Sequence, residues 1–194
     1  MRFRFFAAAA LLALGLSACL PVTTKTAVGE TAGFVNDPAL TGTWAGHFDK
    51  DSPDVTFFHF IPRDDNTITF IGVSTPQKDT TGGWGWYAVT TATLGGHRYL
   101  NARDMMDDGK PAEAQKNIPM LYTIKGDTLT LYLLDEDLTT KAIEAHVIAG
   151  DVVKGQYTTD VTITADAAAL DAFLKTDAGA KLFTPFVVLH RVVQ

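Results

Sequence analysis

The sequence predicts a mainly β domain, built as an antiparallel barrel or half-barrel of about 8–10 strands with two or three short helices. From about residue 40 onward, the chain divides into short segments dense in β-branched and aromatic residues. Turn residues separate these segments, and such short connections make neighbouring strands antiparallel. A run of antiparallel hairpins leaves exposed edges unless the sheet closes or curls, so a barrel is expected.

The first predicted strands follow one another with turns between them. They cover Thr41–Phe48, Val55–Ile61, Thr67–Val73, Trp84–Leu94, His97–Arg103, Leu121–Lys125 and Thr128–Leu134. Gly95-Gly96 and Gly126-Asp127 favour two-residue hairpin turns. Residues 104–119 carry charge and helix formers, which predicts a long loop able to act as a lid.

The last third of the chain mixes helices with strands. Residues 138–146 have apolar side chains at helical spacing, and Asp166 is a predicted N-cap for a second helix over 167–175. Further strands are predicted over 152–157, 161–164 and 186–193. We expect the helices to plug one end of the barrel or to cover one of its faces.

The first residues have the features of an export signal. Arg2 and Arg4 precede an apolar stretch that is too short for a stable transmembrane helix. The stretch ends in Leu16-Ser17-Ala18-Cys19, which resembles the lipobox of bacterial lipoproteins. The resemblance implies removal of residues 1–18, lipidation of Cys19 and attachment to a membrane of the cell envelope through acyl chains. Because Leu20 rather than Asp follows the cysteine, it also implies the outer membrane, facing the periplasm. The alternative is a plain secretory signal with a chance cysteine.

Removal of the signal would leave 176 residues, the size of one domain. Residues 19–38 are rich in Thr, Ala, Gly and Pro, and we predict a flexible tether there, followed by a single barrel domain over 39–194. Cys19 is the only cysteine, so the domain has no disulfide and no thiol chemistry. The mature chain would carry 14 basic and 22 acidic residues, a net charge of −8 that disfavours nucleic acid as a partner.

The start of the first strand resembles that of the lipocalins. Gly42 and Trp44 form a Gly-x-Trp pattern there. The resemblance implies a calycin-like barrel of eight strands, in which Trp44 packs across the bottom and an arginine of the last strand, here Arg191, lies against its ring. The family's middle Thr-Asp-Tyr motif has no counterpart in this chain, and the helix before the last strand departs from the usual ending. The alternative is that Trp44 is simply a core residue.

One sheet face is the candidate ligand-binding site. With a turn at Gly95-Gly96, pairing and alternation place five side chains together: Trp84, Trp86, Tyr99, Asn101 and Arg103. Aromatic walls with a few polar groups are typical of ligand pockets. The alternative is an outer face of the barrel, where aromatic and charged residues also mix.

Motifs for catalysis or metal binding are not found. Ser52 and Ser74 lie outside any Gly-x-Ser-x-Gly elbow, and the five histidines are widely spaced. The acidic run that begins at Asp135 cannot open an EF-hand loop, because Thr140 and His146 stand where Gly and Glu are required. We therefore expect no enzyme, no cofactor and no metal.

These observations favour a non-catalytic, membrane-anchored lipoprotein that binds a small apolar or amphiphilic ligand. Two alternatives stay open. One is an interaction protein or inhibitor that acts on an envelope enzyme or assembly partner through an outer surface or the loop at 104–119. The other is an enzyme whose titratable groups converge only in the folded chain.

Overall fold

The computed structural model describes residues 21–48, 54–63, 65–75, 84–107, 110–111 and 116–192. The strands, in chain order, are β1 (Thr23–Thr24), β2 (Gly42–His47), β3 (Val55–Pro62), β4 (Ile68–Thr75), β5 (Trp84–Leu94), β6 (His97–Asp104), β7 (Met106–Asp107), β8 (Lys110–Pro111), β9 (Ile118–Lys125), β10 (Thr128–Leu134), β11 (Gly150–Lys154), β12 (Thr159–Ile163) and β13 (Phe183–Arg191). The helices are α1 (Glu136–Glu144), α2 (Ala167–Leu174) and α3 (Asp177–Ala180).

Eight strands close into an antiparallel barrel. Strands β2, β3, β4, β5, β6, β9, β10 and β13 pair in that order, and β13 pairs back with β2. Each barrel strand lies beside the next one along the chain, which defines an up-and-down barrel. The predicted fold class, a mainly β barrel with a few short helices, is confirmed.

The hairpin between β5 and β6 has the predicted register. Leu94 pairs with His97 across Gly95-Gly96, and both glycines have positive φ angles, of 60° and 82°. Such backbone conformations are typical of the type I′ turn, whose twist matches that of the flanking strands. The pairing therefore brings the predicted five side chains to one face of the sheet.

The barrel interior holds one apolar core. Along the strands, every second side chain points inward, and the inward positions of β3 and β4 include Phe58, Phe60 and Ile68. Trp44 and Leu189 are fully buried in the same core. Four of these residues fill one end of the barrel, which we call the closed end: Trp44, Phe60, Ile68 and Leu189.

A second apolar core lies outside the barrel wall. The three-stranded sheet β1-β12-β11 and the three helices form an outer layer. Leu170, Phe173 and Leu174 of α2 pack in this core with Tyr99 and Leu121, from the outer faces of β6 and β9. The helices thus cover a face of the barrel, one of the two predicted arrangements.

The segment 21–38 is part of this folded domain, and we call it the strap. β1 pairs in parallel with β12, and Val22 and Val28 are 2% and 0% exposed. The predicted flexible tether over 19–38 is therefore wrong for the strap. The sequence of the strap has no apolar periodicity, but single buried valines and hydrogen bonds from other elements are enough to hold the strap in place.

The strap runs along the barrel from one end to the other. Thr24 exchanges backbone hydrogen bonds with Asn117, immediately before β9 begins at Ile118. At its far end, Asp37 contacts Arg98, beside the β5–β6 turn at the closed end. The first described residues therefore lie at the end of the barrel opposite to Trp44.

The predicted loop over 104–119 is only partly described. Strands β7 and β8 pair within it, and β9 starts three residues before its predicted beginning. Residues 108–109 and 112–115 lie outside the described part, so the predicted lid remains a prediction. Across the described ranges, no helix combines the length and apolar character needed to cross a membrane.

Candidate ligand-binding cup

A cavity of about 330 Å³ opens at the end of the barrel opposite to Trp44. We call this cavity the cup. Its walls are inward side chains of the barrel strands: Thr56, Phe58, Phe70, Gly72, Ser74, Gly85, Tyr87, Ala102, Ile118, Met120 and Leu133. At its opening lie Pro21, Phe48, Trp84 and Phe186.

The cup exists because the inward side chains become small toward this end. On β4, the inward series runs from Ile68 through Phe70 to Gly72. On β6, it runs from Leu100 to Ala102. A strand with a side chain missing at an inward position leaves space that its neighbours do not fill, since the barrel diameter is set by strand number and tilt. Gly72 pairs with Gly85 on β5, so two neighbouring strands lack an inward side chain at the same point and the cup results.

Aromatic rings form the floor and one wall of the cup. The ring of Phe70 lies edge-on to Phe58, with centroids 4.8 Å apart, and stacks on Tyr87 at 5.4 Å. Below them, Phe60 stacks on Phe70 at 5.0 Å. Offset stacks and edge-to-face pairs are favourable geometries for aromatic rings, so this wall is firmly packed without a ligand.

A pair of hydroxyl groups interrupts the apolar lining. The Oγ1 of Thr56 and the Oγ of Ser74 lie 3.1 Å apart on paired positions of β3 and β4. Each hydroxyl has two acceptor lone pairs besides its donor, so capacity for further hydrogen bonds remains. The cup thus combines apolar walls with a few polar groups near its opening.

Arg191 and Trp44 seal the opposite end of the barrel. The Arg191 guanidinium carbon lies 4.0 Å from the centre of the Trp44 ring. Its Nη1 and Nη2 donate to the carbonyl oxygens of Thr41 (2.8 Å) and Ala39 (2.7 Å). Gly42 has a φ of 114°, and a Cβ there would lie 3.2 Å from the guanidinium, so glycine suits the site. This is the contact that the resemblance to lipocalins implies.

A polar cluster stands beside this seal. The Tyr122 hydroxyl donates to Asp37 Oδ2 at 2.7 Å, and Arg98 Nη1 donates to the same oxygen at 3.1 Å. Burial raises the pKa of Tyr122 well above its usual range, and the hydrogen bond to Asp37 adds to the effect. The phenol therefore stays protonated and fastens the strap to the barrel.

The predicted binding face lies on the outside of the barrel. Tyr99 and Asn101 are 0% and 1% exposed beneath the outer layer, while Trp86 and Arg103 lie on the outer wall. Trp84 reaches the opening of the cup. The prediction that these five residues form one pocket is therefore wrong, because the opposite face of β5 and β6 turns inward. The alternative interpretation, an outer face, describes their placement.

Tyr99 illustrates what this face does instead. Its ring packs against Phe183 at a centroid distance of 5.6 Å, inside the second core. Its hydroxyl is buried and has no hydrogen-bond partner among the described residues. Burial raises the pKa of Tyr99 to about 12, and the nearby Asp171 carboxylate contributes to the shift. Tyr99 is a packing residue of the domain.

Sequence reasoning missed most residues of the cup. The signal for the cup in the sequence is the run of inward phenylalanines on β3 and β4, followed by Gly72. The apolar stripe of α2 packs on β6 and β9 and not on β3. The aromatic pattern of β3 comes from inward packing on one side and a half-exposed surface on the other.

A wider groove of about 800 Å³ lies between α1 and β11. It is crossed by an ion pair in which Lys154 Nζ lies 3.4 Å from Glu144 Oε1, and both side chains are mostly exposed. A solvated surface pair of this kind contributes little binding energy. Within the described ranges, no three His, Cys, Asp or Glu side chains gather as a metal site would require.

Comparison of the chain with protein-family models, with curated proteins and with solved structures found no match. The barrel is established by its own strand pairing.

Proposed function

We propose that this protein is a lipid-anchored envelope lipoprotein whose barrel binds a small apolar or amphiphilic ligand in the cup. The cup itself carries the proposal. It measures about 330 Å³, has mainly apolar walls and opens at one end only of a barrel that Trp44 and Arg191 seal at the other. Pockets for small ligands are typically about 300–1,000 Å³ and combine apolar walls with a few polar groups.

The volume limits the size of the ligand. Liquid water occupies about 30 Å³ per molecule, so the cup has room for about 11 groups of that size. A chain of about eight methylene groups would gain about 6 kcal/mol on burial, which corresponds to a Kd of about 40 μM or weaker once the cost of association is subtracted. The Thr56–Ser74 hydroxyl pair supports a ligand with a polar group at one end.

Filling the cup tests the proposal directly. Gly72 lines the cup, and a Cβ there would meet Phe58 and Phe70 at ordinary contact distances of 3.5 and 3.6 Å, so Gly72→Leu should fold and occupy the space. Val73→Leu is the matched control, since it adds one methylene on the outer face of the same strand. The Cys19→Ser form of residues 19–194, titrated with a fluorescent fatty-acid analogue, provides the reference.

We expect Gly72→Leu to weaken probe binding at least tenfold and Val73→Leu to change it less than twofold. Circular dichroism checks that both variants are folded. Equal binding by Gly72→Leu and the reference would place the probe outside the cup and refute the proposed binding role. Failure of the reference to bind any apolar or amphiphilic probe would refute it as well.

The anchor is tested separately in bacterial cells. The Leu-Ser-Ala-Cys sequence supports acylation of Cys19. Growth with a clickable palmitate analogue should label the wild-type protein and leave Cys19→Ala unlabelled, and labelled protein should sediment with the outer membrane. An unlabelled wild-type protein would show that the lipidation proposal is wrong.

A further inference from the structure

Three aromatic side chains surround the opening of the cup and are exposed to solvent. Phe48 is 49% exposed, Trp84 is 67% exposed and Phe186 is 38% exposed. All three line the cup, and the rings of Phe48 and Phe186 lie 5.2 Å apart. We call these three residues the rim. Single exposed apolar residues are ordinary, whereas a group around one opening indicates an interaction surface.

The start of the described chain reaches the same opening. Pro21 lines the cup, and Val22, the next residue, is 2% exposed. The strap that follows is paired with β12 and bonded along the outer wall. The strap is therefore packed on the domain from Val22 onward.

The chain between Cys19 and Pro21 is short. Two residues span at most about 7 Å when fully extended, at up to about 3.6 Å per residue. The polar headgroup layer on each side of a bilayer is about 5–8 Å thick. A lipid on Cys19 would therefore bring the rim to the headgroup layer, and the packed strap would prevent the barrel from turning its opening away.

We propose that the rim is a membrane-contact surface and that the cup opens toward the phospholipid bilayer. This inference rests on the proposed anchor at Cys19. Tryptophan and other aromatic rings are favoured at the membrane–water interface. Because the chain carries a net negative charge, it has no electrostatic attraction to anionic lipids, and the contact would rest on the apolar rim. A zwitterionic lipid surface is therefore the partner that fits.

The single cysteine allows the proposed attachment of the chain to a membrane lipid to be reproduced in vitro. Residues 19–194, which include every described residue, can be coupled through the Cys19 thiol to a maleimide headgroup lipid in phosphatidylcholine vesicles. The vesicles also contain a phospholipid that carries a spin-label quencher near its headgroup. In a Trp86→Phe background, the fluorescence comes from Trp84 at the rim and from Trp44, which is buried at the closed end.

We expect the quencher to reduce the emission of this variant at least twofold more than that of Trp84→Phe, which retains Trp86 on the outer wall. Phe48→Glu should reduce the quenching at least twofold. Val153→Glu, a substitution of a 63% exposed residue in the outer sheet, should leave the quenching unchanged.

Equal quenching of Trp86→Phe and Trp84→Phe, each of which also retains the buried Trp44, or no effect of Phe48→Glu, would overturn the inference. Chemical coupling supplies the lipid whether or not cells do so, so this outcome is distinct from an unlabelled protein in the palmitate experiment.

Discussion

The side-chain amide of Asn101 pairs with the backbone of Val28 in both directions. Its Oδ1 accepts from the Val28 N–H at 2.7 Å, and its Nδ2 donates to the Val28 carbonyl at 3.0 Å. Asn101→Ala would leave two buried backbone groups unpaired, at a cost of about 2–4 kcal/mol in the free energy of unfolding. Urea denaturation measures this loss.

Thr93→Ala is the control for Asn101→Ala. Thr93 lies on β5 at an exposed position, and its truncation should change the free energy of unfolding by less than about 0.5 kcal/mol. Amide hydrogen exchange at Val28 should accelerate in Asn101→Ala and stay unchanged in the control. Similar stability of the two variants would contradict the role of Asn101 in holding the strap.

Asp171 fastens the strap from the side of α2. Its carboxylate accepts from the Gly29 N–H at 2.7 Å, from the Thr31 N–H at 3.1 Å and from the Thr31 hydroxyl. Asp171→Ala removes all three bonds, so we expect trypsin to cut after the exposed Lys25 at least tenfold faster. Asp166→Ala removes only the N-cap of α2, worth about 1 kcal/mol, and should leave that cut near its original rate. Mass spectrometry of the released N-terminal fragment distinguishes the two.

The seal at the closed end depends on the shape of Arg191 as well as its charge. Arg191→Lys retains a cation but loses the planar group that lies on Trp44 and donates to two carbonyl groups. We expect a loss of about 1–3 kcal/mol in the free energy of unfolding. Arg63→Lys, at an exposed position, should cost less than about 0.5 kcal/mol. Equal stability of both variants would contradict the importance of the stacked guanidinium.

Removal of the hydroxyl group should change the free energy of unfolding differently at two buried tyrosines. The Tyr122 hydroxyl donates to Asp37, so Tyr122→Phe should lower the free energy of unfolding by about 1–2 kcal/mol. The Tyr99 hydroxyl has no hydrogen-bond partner among the described residues, so Tyr99→Phe should be neutral or stabilising by up to about 1 kcal/mol. Parallel urea melts of the two variants check the order. A destabilised Tyr99→Phe would reveal a bond to that hydroxyl.

Tyr99 also predicts how stability changes at alkaline pH. Burial raises the pKa of Tyr99 from 10.0 to about 12, so the unfolded chain loses the phenolic proton first as the pH rises. The contribution of Tyr99 to the free energy of unfolding is fully present below about pH 10 and declines between pH 10 and about 12. The free energy of unfolding of Tyr99→Phe should therefore fall less steeply than that of the wild type in this window. Tyr122, whose pKa is also raised, leaves a residual slope. Parallel slopes would contradict the prediction.

The strand sequence and the hairpin registers could be predicted because they depend on local chemistry. Alternation of side chains and the turn residues at Gly95-Gly96 specify which residues pair across β5 and β6. The Gly-x-Trp pattern pointed to Trp44, and Arg191 lies over its ring as the resemblance implies. The cup was not predictable in the same way, because its lining comes from strands that are far apart in the chain.

By itself, the sequence determined a mainly β antiparallel barrel or half-barrel with short helices, and the register of the β5–β6 hairpin. Only the tertiary structure decided that Tyr99 and Asn101 face outward and that the strap is packed. Strand pairing specifies which side chains share a face of the sheet, but it does not specify which face turns toward the barrel interior. Likewise, Val28 carries no periodic pattern, and its burial depends on Asn101, 73 residues away. Long-range contacts of this kind form only in the folded barrel, and no local sequence pattern predicts them.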